Sequence, residues 1–285
     1  GPRLGGLLTK DIGELKRIFL SPGPIFDPED RGEDYWGYTE AFYSVGFRPG
    51  DAVQNTFNYQ LTPAGLMFEE PLRNLGCAVI PAGPTDAATQ LDIMQKLRVS
   101  GYVGTPSFLM HLAQKAEEKG LNLRKDVFLE VAFVTGERLS EKMRSQMEKK
   151  YDLVMRQGYG TADVGCIGYE CFHKTGLHIA NRCYVEICHP DTGIPLKDGE
   201  VGEIVVTAFN KTYPLIRLAT GDLSYIDRSP CACGRTSPRL GSIVGRVDTT
   251  ARIMGMFVYP HQVEQVMSRF EEIKRWQIEV TNPGG

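Results

Sequence analysis

The chain has 285 residues, 42% hydrophobic and 24% charged, and 32 Lys and Arg against 35 Asp and Glu leave a formal charge of −3. Such a composition describes a globular protein of one large or two smaller domains, and the balanced charge excludes a general nucleic-acid binder, which needs a basic face to neutralise phosphates. No apolar run reaches the roughly 18–20 residues that cross a bilayer, and seven cysteines without a secretory-type start predict thiols or a metal site in the cytoplasm, not a disulfide framework.

The first two-thirds alternate helical and strand patterns. Asp34–Phe47 reads as an aromatic-rich helix and Ala52–Phe57 as a buried strand. Pro63 opens a helix to about Leu75, Cys77–Ile80 is a short strand, and Asp86–Leu97 is amphipathic. Gly101–Val103 is strand-like. Thr105 then caps a helix with Pro106 at its first position, and Gly120 stops it. Val127–Val134 reads as a buried strand, Ser140 caps a charged helix to about Lys150, and Leu153–Gln157 is strand again.

Strands alternating with helices predict an α/β fold with a parallel or mixed sheet, whose ligands sit at the carboxyl ends of the strands. From about residue 165 short strands take over: Leu177–Ala180, Tyr184–Cys188, Glu203–Thr207, Leu215–Leu218 and Leu223–Ile226. They predict a small antiparallel sheet or barrel appended to the α/β part. A final helix is expected from Pro260, with Val263, Val266, Met267 and Phe270 on one face, and a strand over Arg275–Val280.

Four short motifs stand in order: Gly158-Tyr159-Gly160-Thr161-Ala162-Asp163 after a strand, Thr220-Gly221-Asp222-Leu223, Gly245-Arg246-Val247-Asp248, and Gly255-Met256-Phe257-Val258-Tyr259-Pro260 before a helix carrying Glu264. Singly, each reads as a turn. Together, with Gly104-Thr105-Pro106-Ser107 opening a helix and Cys231-Ala232-Cys233 downstream, the series resembles the adenylate-forming acyl- and aryl-CoA ligases, most closely the phenylacetate-CoA ligases. The resemblance runs from about Arg17 to Val280.

It implies ATP-dependent activation of an aryl carboxylic acid to an acyl-adenylate, then transfer to coenzyme A, with Mg2+. Gly136 and Glu137 would border the adenine pocket; Tyr159, Gly160 and Thr161 would line the nucleotide and acid sites, the tyrosine stacking on adenine. Asp163 falls where the family has a magnesium-associated glutamate. Asp222 would hold the ribose hydroxyls, Arg246 would face ribose or phosphate, and Tyr59 would belong to the acid pocket. Asp248 would be the hinge between a large domain (1–247, divided at 164/165) and the opening of a C-terminal lid (248–285).

Two departures from the family pattern bear on activity. Leu20–Pro28 aligns with a phosphate loop rich in Ser, Thr and Gly with a Lys, but carries three prolines and Asp27. The lid's transition-state lysine has no counterpart within 285 residues, so a fragment of a longer ligase is expected, lacking an N-terminal portion as well. Rival readings are an adenylate-former with a non-CoA acceptor and a catalytically weak, zinc-stabilised adenylate-binding protein. A homodimer is left open.

Cys171 and His178, with Cys231 and Cys233, could supply three thiolates and an imidazole to a closed structural Zn2+ site. His173 and Cys166 compete as ligands, and free buried cysteines are the alternative.

Overall fold

The computed structural model describes residues 3–21, 25–249, 251–253 and 256–258, with isolated positions between 263 and 277. The helix expected from Pro260 and the strand Arg275–Val280 lie largely outside the described residues, as do Pro22, Gly23 and Pro24.

In chain order, a hairpin of β1 (Arg17–Ser21) and β2 (Ile25–Glu29) precedes α1 (Thr39–Val45), β3 (Ala52–Asn55), α2 (Ala64–Asn74), β4 (Ala78–Pro81), α3 (Ala87–Leu97), β5 (Gly101–Gly104), α4 (Pro106–Glu118), β6 (Val131–Val134), α5 (Glu141–Tyr151) and β7 (Val154–Thr161). There follow β8 (Gly165–Glu170), β9 (Leu177–Ile179), β10 (Cys183–Cys188), β11 (Gly202–Ala208), β12 (Leu218–Ser224), β13 (Ile226–Asp227), β14 (Arg239–Leu240), β15 (Gly245–Arg246), β16 (Ala251–Ile253) and β17 (Met256–Val258).

The main sheet has nine strands in the order β13-β14-β9-β8-β7-β6-β5-β3-β4. β7 is its pivot. Residues 154–157 pair parallel with β6, and residues 158–161 pair antiparallel with β8. One apolar core forms around α3, α4 and α5, with Leu91, Met94, Leu109, Leu112 and Met147 buried. A second is aromatic and lies around α1 and α2, where Tyr38, Phe42, Phe47, Phe68 and Phe133 meet edge-on. β10, β11, β12 and β15 form a separate antiparallel sheet.

Local capping chemistry placed the helix starts well. Asp86 accepts from the N–H groups of Ala88 and Thr89, Thr105 from Phe108 and Ser140 from Met143. Other expectations need correction. The aromatic helix is only α1, because Asp34 sits at φ 50° and its carboxylate instead accepts from the N–H groups of Tyr38 and Thr39. Phe128 at φ 69° breaks Val127–Val134, so only β6 is strand, although Val127 and Leu129 remain buried. Leu215–Leu218 is not a strand: Arg217 at φ 52° interrupts it and β12 begins at Leu218. The β-rich part is divided: β10, β11, β12 and β15 form the expected small antiparallel sheet, while β8, β9, β13 and β14 extend the main sheet. Among the described residues, no helix is long and apolar enough to cross a membrane.

Candidate functional site

A cleft of ≈ 970 Å³ opens at the carboxyl ends of β6 and β7. Thr135, Gly136 and Glu137 line it from the end of β6, Gln157–Gly160 from β7, Asp222 from β12, and Val244–Arg246 from β15. Two of the four motifs read singly as turns are largely strand. Gly158–Thr161 belongs to β7, and Thr220–Asp222 lies inside β12, opposite Ile204 alone, where the pairing with β11 shifts. Such bulges re-aim side chains beside functional sites.

Across the cleft the Tyr159 hydroxyl donates to Asp222 Oδ2 at 2.9 Å, and Arg246 Nη1 donates to Asp222 Oδ1 at 3.0 Å. Burial, with the Asp222 charge beside it, pushes the Tyr159 phenol well up, so it stays a neutral donor. Arg246 Nε also donates to Asp248 Oδ1 at 3.2 Å. Glu137 accepts from the Ser107 hydroxyl at 2.8 Å, which ties the end of β6 to the start of α4.

Tyr159 is aimed by its neighbours. A Cβ on Gly160 would lie 2.2 Å from the Gly165 carbonyl oxygen and 2.3 Å from the Tyr38 hydroxyl; one on Gly158 would lie 2.3 Å from Phe133. Backbone cannot retreat as a flexible side chain can. We expect Gly160→Ala to cost on the order of 1–3 kcal/mol, read as a lower urea midpoint; an unchanged midpoint would refute this close packing.

Gly136, Glu137, Tyr159, Gly160, Asp222 and Arg246 are therefore gathered in one cleft. Thr161, the last residue of β7, and Asp163, in the turn that follows, sit just past it, and the Thr161 hydroxyl accepts from the Val164 N–H at 3.1 Å. Tyr59 lies apart from the cleft lining, its hydroxyl accepting from Asn55 Nδ2 at 2.9 Å and its phenol pushed up by burial. Asp248 is exposed in a 3₁₀ turn, Val247–Thr249. A second cavity, ≈ 890 Å³, lies between α4 and α5, and Lys142 lines both it and the cleft.

The sequence reading missed a buried support for β7. Arg144 of α5 donates to Glu170 of β8 through Nη1 (2.6 Å) and Nη2 (2.7 Å). Glu170 also accepts from the Gln157 N–H (2.9 Å) and side-chain amide (3.0 Å). Gln157 is the last residue paired with β6, so this network fixes the strand where it changes partners.

The aligned phosphate-loop segment spans the β1–β2 hairpin, and Asp27 is not at its tip but in β2, opposite Phe19 and fully buried. Burial pushes the Asp27 carboxyl up to about 6; Ser21 opposes this and the Asp163 carboxyl adds to it.

Cys171, His178, Cys231 and Cys233 come together, their ligand atoms all within 4.8 Å of one another. Cys171 Sγ and Cys231 Sγ are 3.7 Å apart, and Cys233 Sγ is 3.3 Å from His178 Nε2. Tetrahedral zinc with Zn–S of about 2.3 Å and Zn–N of about 2.0 Å requires edges of about 3.8 and 3.5 Å. His178 Nδ1 lies 3.3 Å from the Ser237 hydroxyl, which orients the ring. Burial opposes ionisation of Cys231, but the Cys233 N–H and the Thr175 hydroxyl outweigh it, bringing the thiol down to about 5. The competitors fall away: His173 is exposed, and Cys166 is buried in the aromatic core.

This mixed sheet, with a cleft where β7 changes partners, has the fold of adenylate-forming CoA ligases. The open conformation of 2-hydroxyisobutyryl-CoA ligase in complex with 2-HIB-AMP and CoA superimposes with a TM-score of 0.86 at 24% identity, over 95% of this chain and 66% of that one. Residues 63–210 match the AMP-binding enzyme family, and the chain belongs to it. It is 33% identical over 292 residues to the phenylacetate-coenzyme A ligase of Thermus thermophilus, covering 98% of this chain and 65% of that protein. With the ligase of the same description from Pseudomonas putida, identity is 29%, over 94% of this chain and 63% of the relative. The chain thus spans slightly under two thirds of these relatives' length.

Proposed function

We propose that the chain is the nucleotide- and acid-binding part of an AMP-forming acid–CoA ligase, acting on an aryl, phenylacetate-like carboxylate in the cytoplasm. The observation that carries this reading is the Tyr159–Asp222–Arg246 constellation across the cleft. In this reading Gly136 and Glu137 border adenine, and Tyr159 stacks on it. Asp222, with two oxygens and about four lone-pair sites, holds the ribose hydroxyls while keeping Tyr159 and Arg246. Thr161 contacts the reacting acid, and Tyr59 is proposed for the acid pocket despite its distance from the cleft lining.

The chemistry asks for positioning. An acid carboxylate oxygen attacks the α-phosphorus of ATP, the bond to the pyrophosphate oxygen breaks, and pyrophosphate leaves. Fixed donors and cations lower that barrier without a protein nucleophile. Mg2+ fits the hard oxygen donor of Asp163, which stands beside a second, buried carboxylate, and would supply charge neutralisation to the phosphates. Arg246, tied to both Asp222 and Asp248, is suited to transmit hinge motion at Asp248, with 1–247 and 248–285 as the two moving parts.

Pyrophosphate release that requires both ATP and an aryl acid, measured on the full-length gene product, tests the reading. Turnover with another acceptor in place of coenzyme A would favour the non-CoA reading. AMP binding without exchange across a panel of acids would favour a weak binding protein, a reading that the three prolines of Leu20–Pro28 support. Size-exclusion chromatography with light scattering decides between monomer and homodimer.

We also propose that Cys171, His178, Cys231 and Cys233 hold a structural Zn2+. Two edges of near-tetrahedral length support it, and four protein ligands leave no open position for catalysis. Purified protein should contain about one zinc per chain, and Cys171→Ser should lower the melting temperature by about 5 °C. Less than about half an equivalent, with stability unchanged in the variant, refutes the site.

A further inference from the structure

A fully buried carboxylate ordinarily meets a cation or several hydrogen-bond donors, because its desolvation is otherwise uncompensated. Asp27 is 0% exposed, and among the described residues neither Oδ1 nor Oδ2 has a partner at full hydrogen-bond geometry, although the Ser21 hydroxyl lies near enough to favour its charge. The charged group that it faces is another carboxylate, Asp163. Tyr213, also buried, feels both charges.

Both acids are carried on constrained backbone. Asp27 is held in register opposite Phe19 by the hairpin, and Asp163 lies in a turn pinned by the Thr161 hydroxyl. Thr161 and Asp163 are partly exposed, which leaves a way in from solvent.

We infer that Asp27 and Asp163 together hold one hard divalent cation, Mg2+ or Mn2+, with Asp27 the ligand supplied by the hairpin. Such ions take one or two carboxylates and fill their remaining positions with water or phosphate oxygens. The unpartnered oxygens of Asp27 then become ligand atoms, and the repulsion between the two acids becomes attraction to a shared cation. This deepens the proposed function by giving the hairpin a role in cation binding. It is tested without nucleotide or acid, so its failure is distinct from failure of the adenylation reading.

The experiment uses zinc-loaded, nucleotide-free protein titrated with Mn2+, the free ion being followed by its electron paramagnetic resonance signal. Thiolate ligands prefer Zn2+ to Mn2+, so the cysteine cluster does not interfere. About one Mn2+ should bind per chain and be displaced by Mg2+. Asp27→Asn and Asp163→Asn should each weaken binding at least about tenfold. Without added cation, Asp27→Asn should melt above the parent protein, and Mg2+ should narrow that gap by stabilising the parent alone. Absence of Mn2+ binding by the parent protein overturns the inference. So does an Asp27→Asn protein that binds Mn2+ as tightly as the parent, which would leave the two acids sharing a proton instead.

Discussion

Glu170→Ala should lower the melting temperature by about 6–15 °C. Arg144 and Glu170 have side chains only 1% and 3% exposed, and the pair is bidentate. Removing Glu170 leaves the buried Arg144 charge with only the exposed Glu141 carboxylate as counter-charge, a loss of about 3–5 kcal/mol, and for a domain of this size each kcal/mol moves the transition by roughly 2–3 °C. The Gln157 N–H and side-chain amide lose their acceptor in the same step. Replacing both members by apolar residues, Arg144→Met with Glu170→Leu, should recover much of the stability, since a well-packed apolar pair often matches a buried ion pair. It should not recover nucleotide affinity, because Gln157 still lacks the group that anchors β7 beside Tyr159. Thermal denaturation and AMP titration of the single and double variants separate the two effects. A shift below about 2 °C for Glu170→Ala would show that the pair contributes little.

How much of this was legible in the sequence depends on the range of the interaction. Thr105 and Ser140 were readable as helix caps because each satisfies an N–H group three residues away; Asp86, read only as the start of an amphipathic stretch, caps its helix in the same way. The motif order singled out Tyr159, Asp222 and Arg246, which the fold brings into one cleft. It misjudged their local structure, since a Gly-rich bulge in a strand and a turn share the same residues. Phe128 and Arg217 adopt positive φ without being glycine or a type enriched there, so nothing in their residue type announced the breaks that they make; Asp34 is of a type that visits that region more readily. His178, which the sequence reading already put ahead of His173, is buried by the pairing of β9 with β8 and β14, whereas His173 is exposed. Arg144–Glu170 and Asp27–Asp163 are contacts between distant segments, and neither leaves a periodic trace.

Asp222→Ala should weaken AMP binding by about 10–100-fold. Charge-assisted hydrogen bonds contribute about 1.5–3 kcal/mol each, and about 1.4 kcal/mol is a factor of ten. Asp222 also accepts from both Tyr159 and Arg246, so its removal frees two donors that face the cleft. The comparison that isolates its role is Tyr159→Phe, which keeps the ring but deletes the hydroxyl that Asp222 accepts. If stacking is what Tyr159 contributes, that variant should lose less than about fivefold, while Asp222→Asn, which keeps the shape but not the charge, should fall between it and Asp222→Ala. Arg246→Lys tests the remaining arm. A lysine has no planar fork with which to reach Asp222 and Asp248 together. It should therefore leave AMP affinity near that of the parent while altering any step that depends on the orientation of residues beyond Asp248. Equal affinities across all four variants would mean that the nucleotide does not use this constellation, whatever the fold resembles.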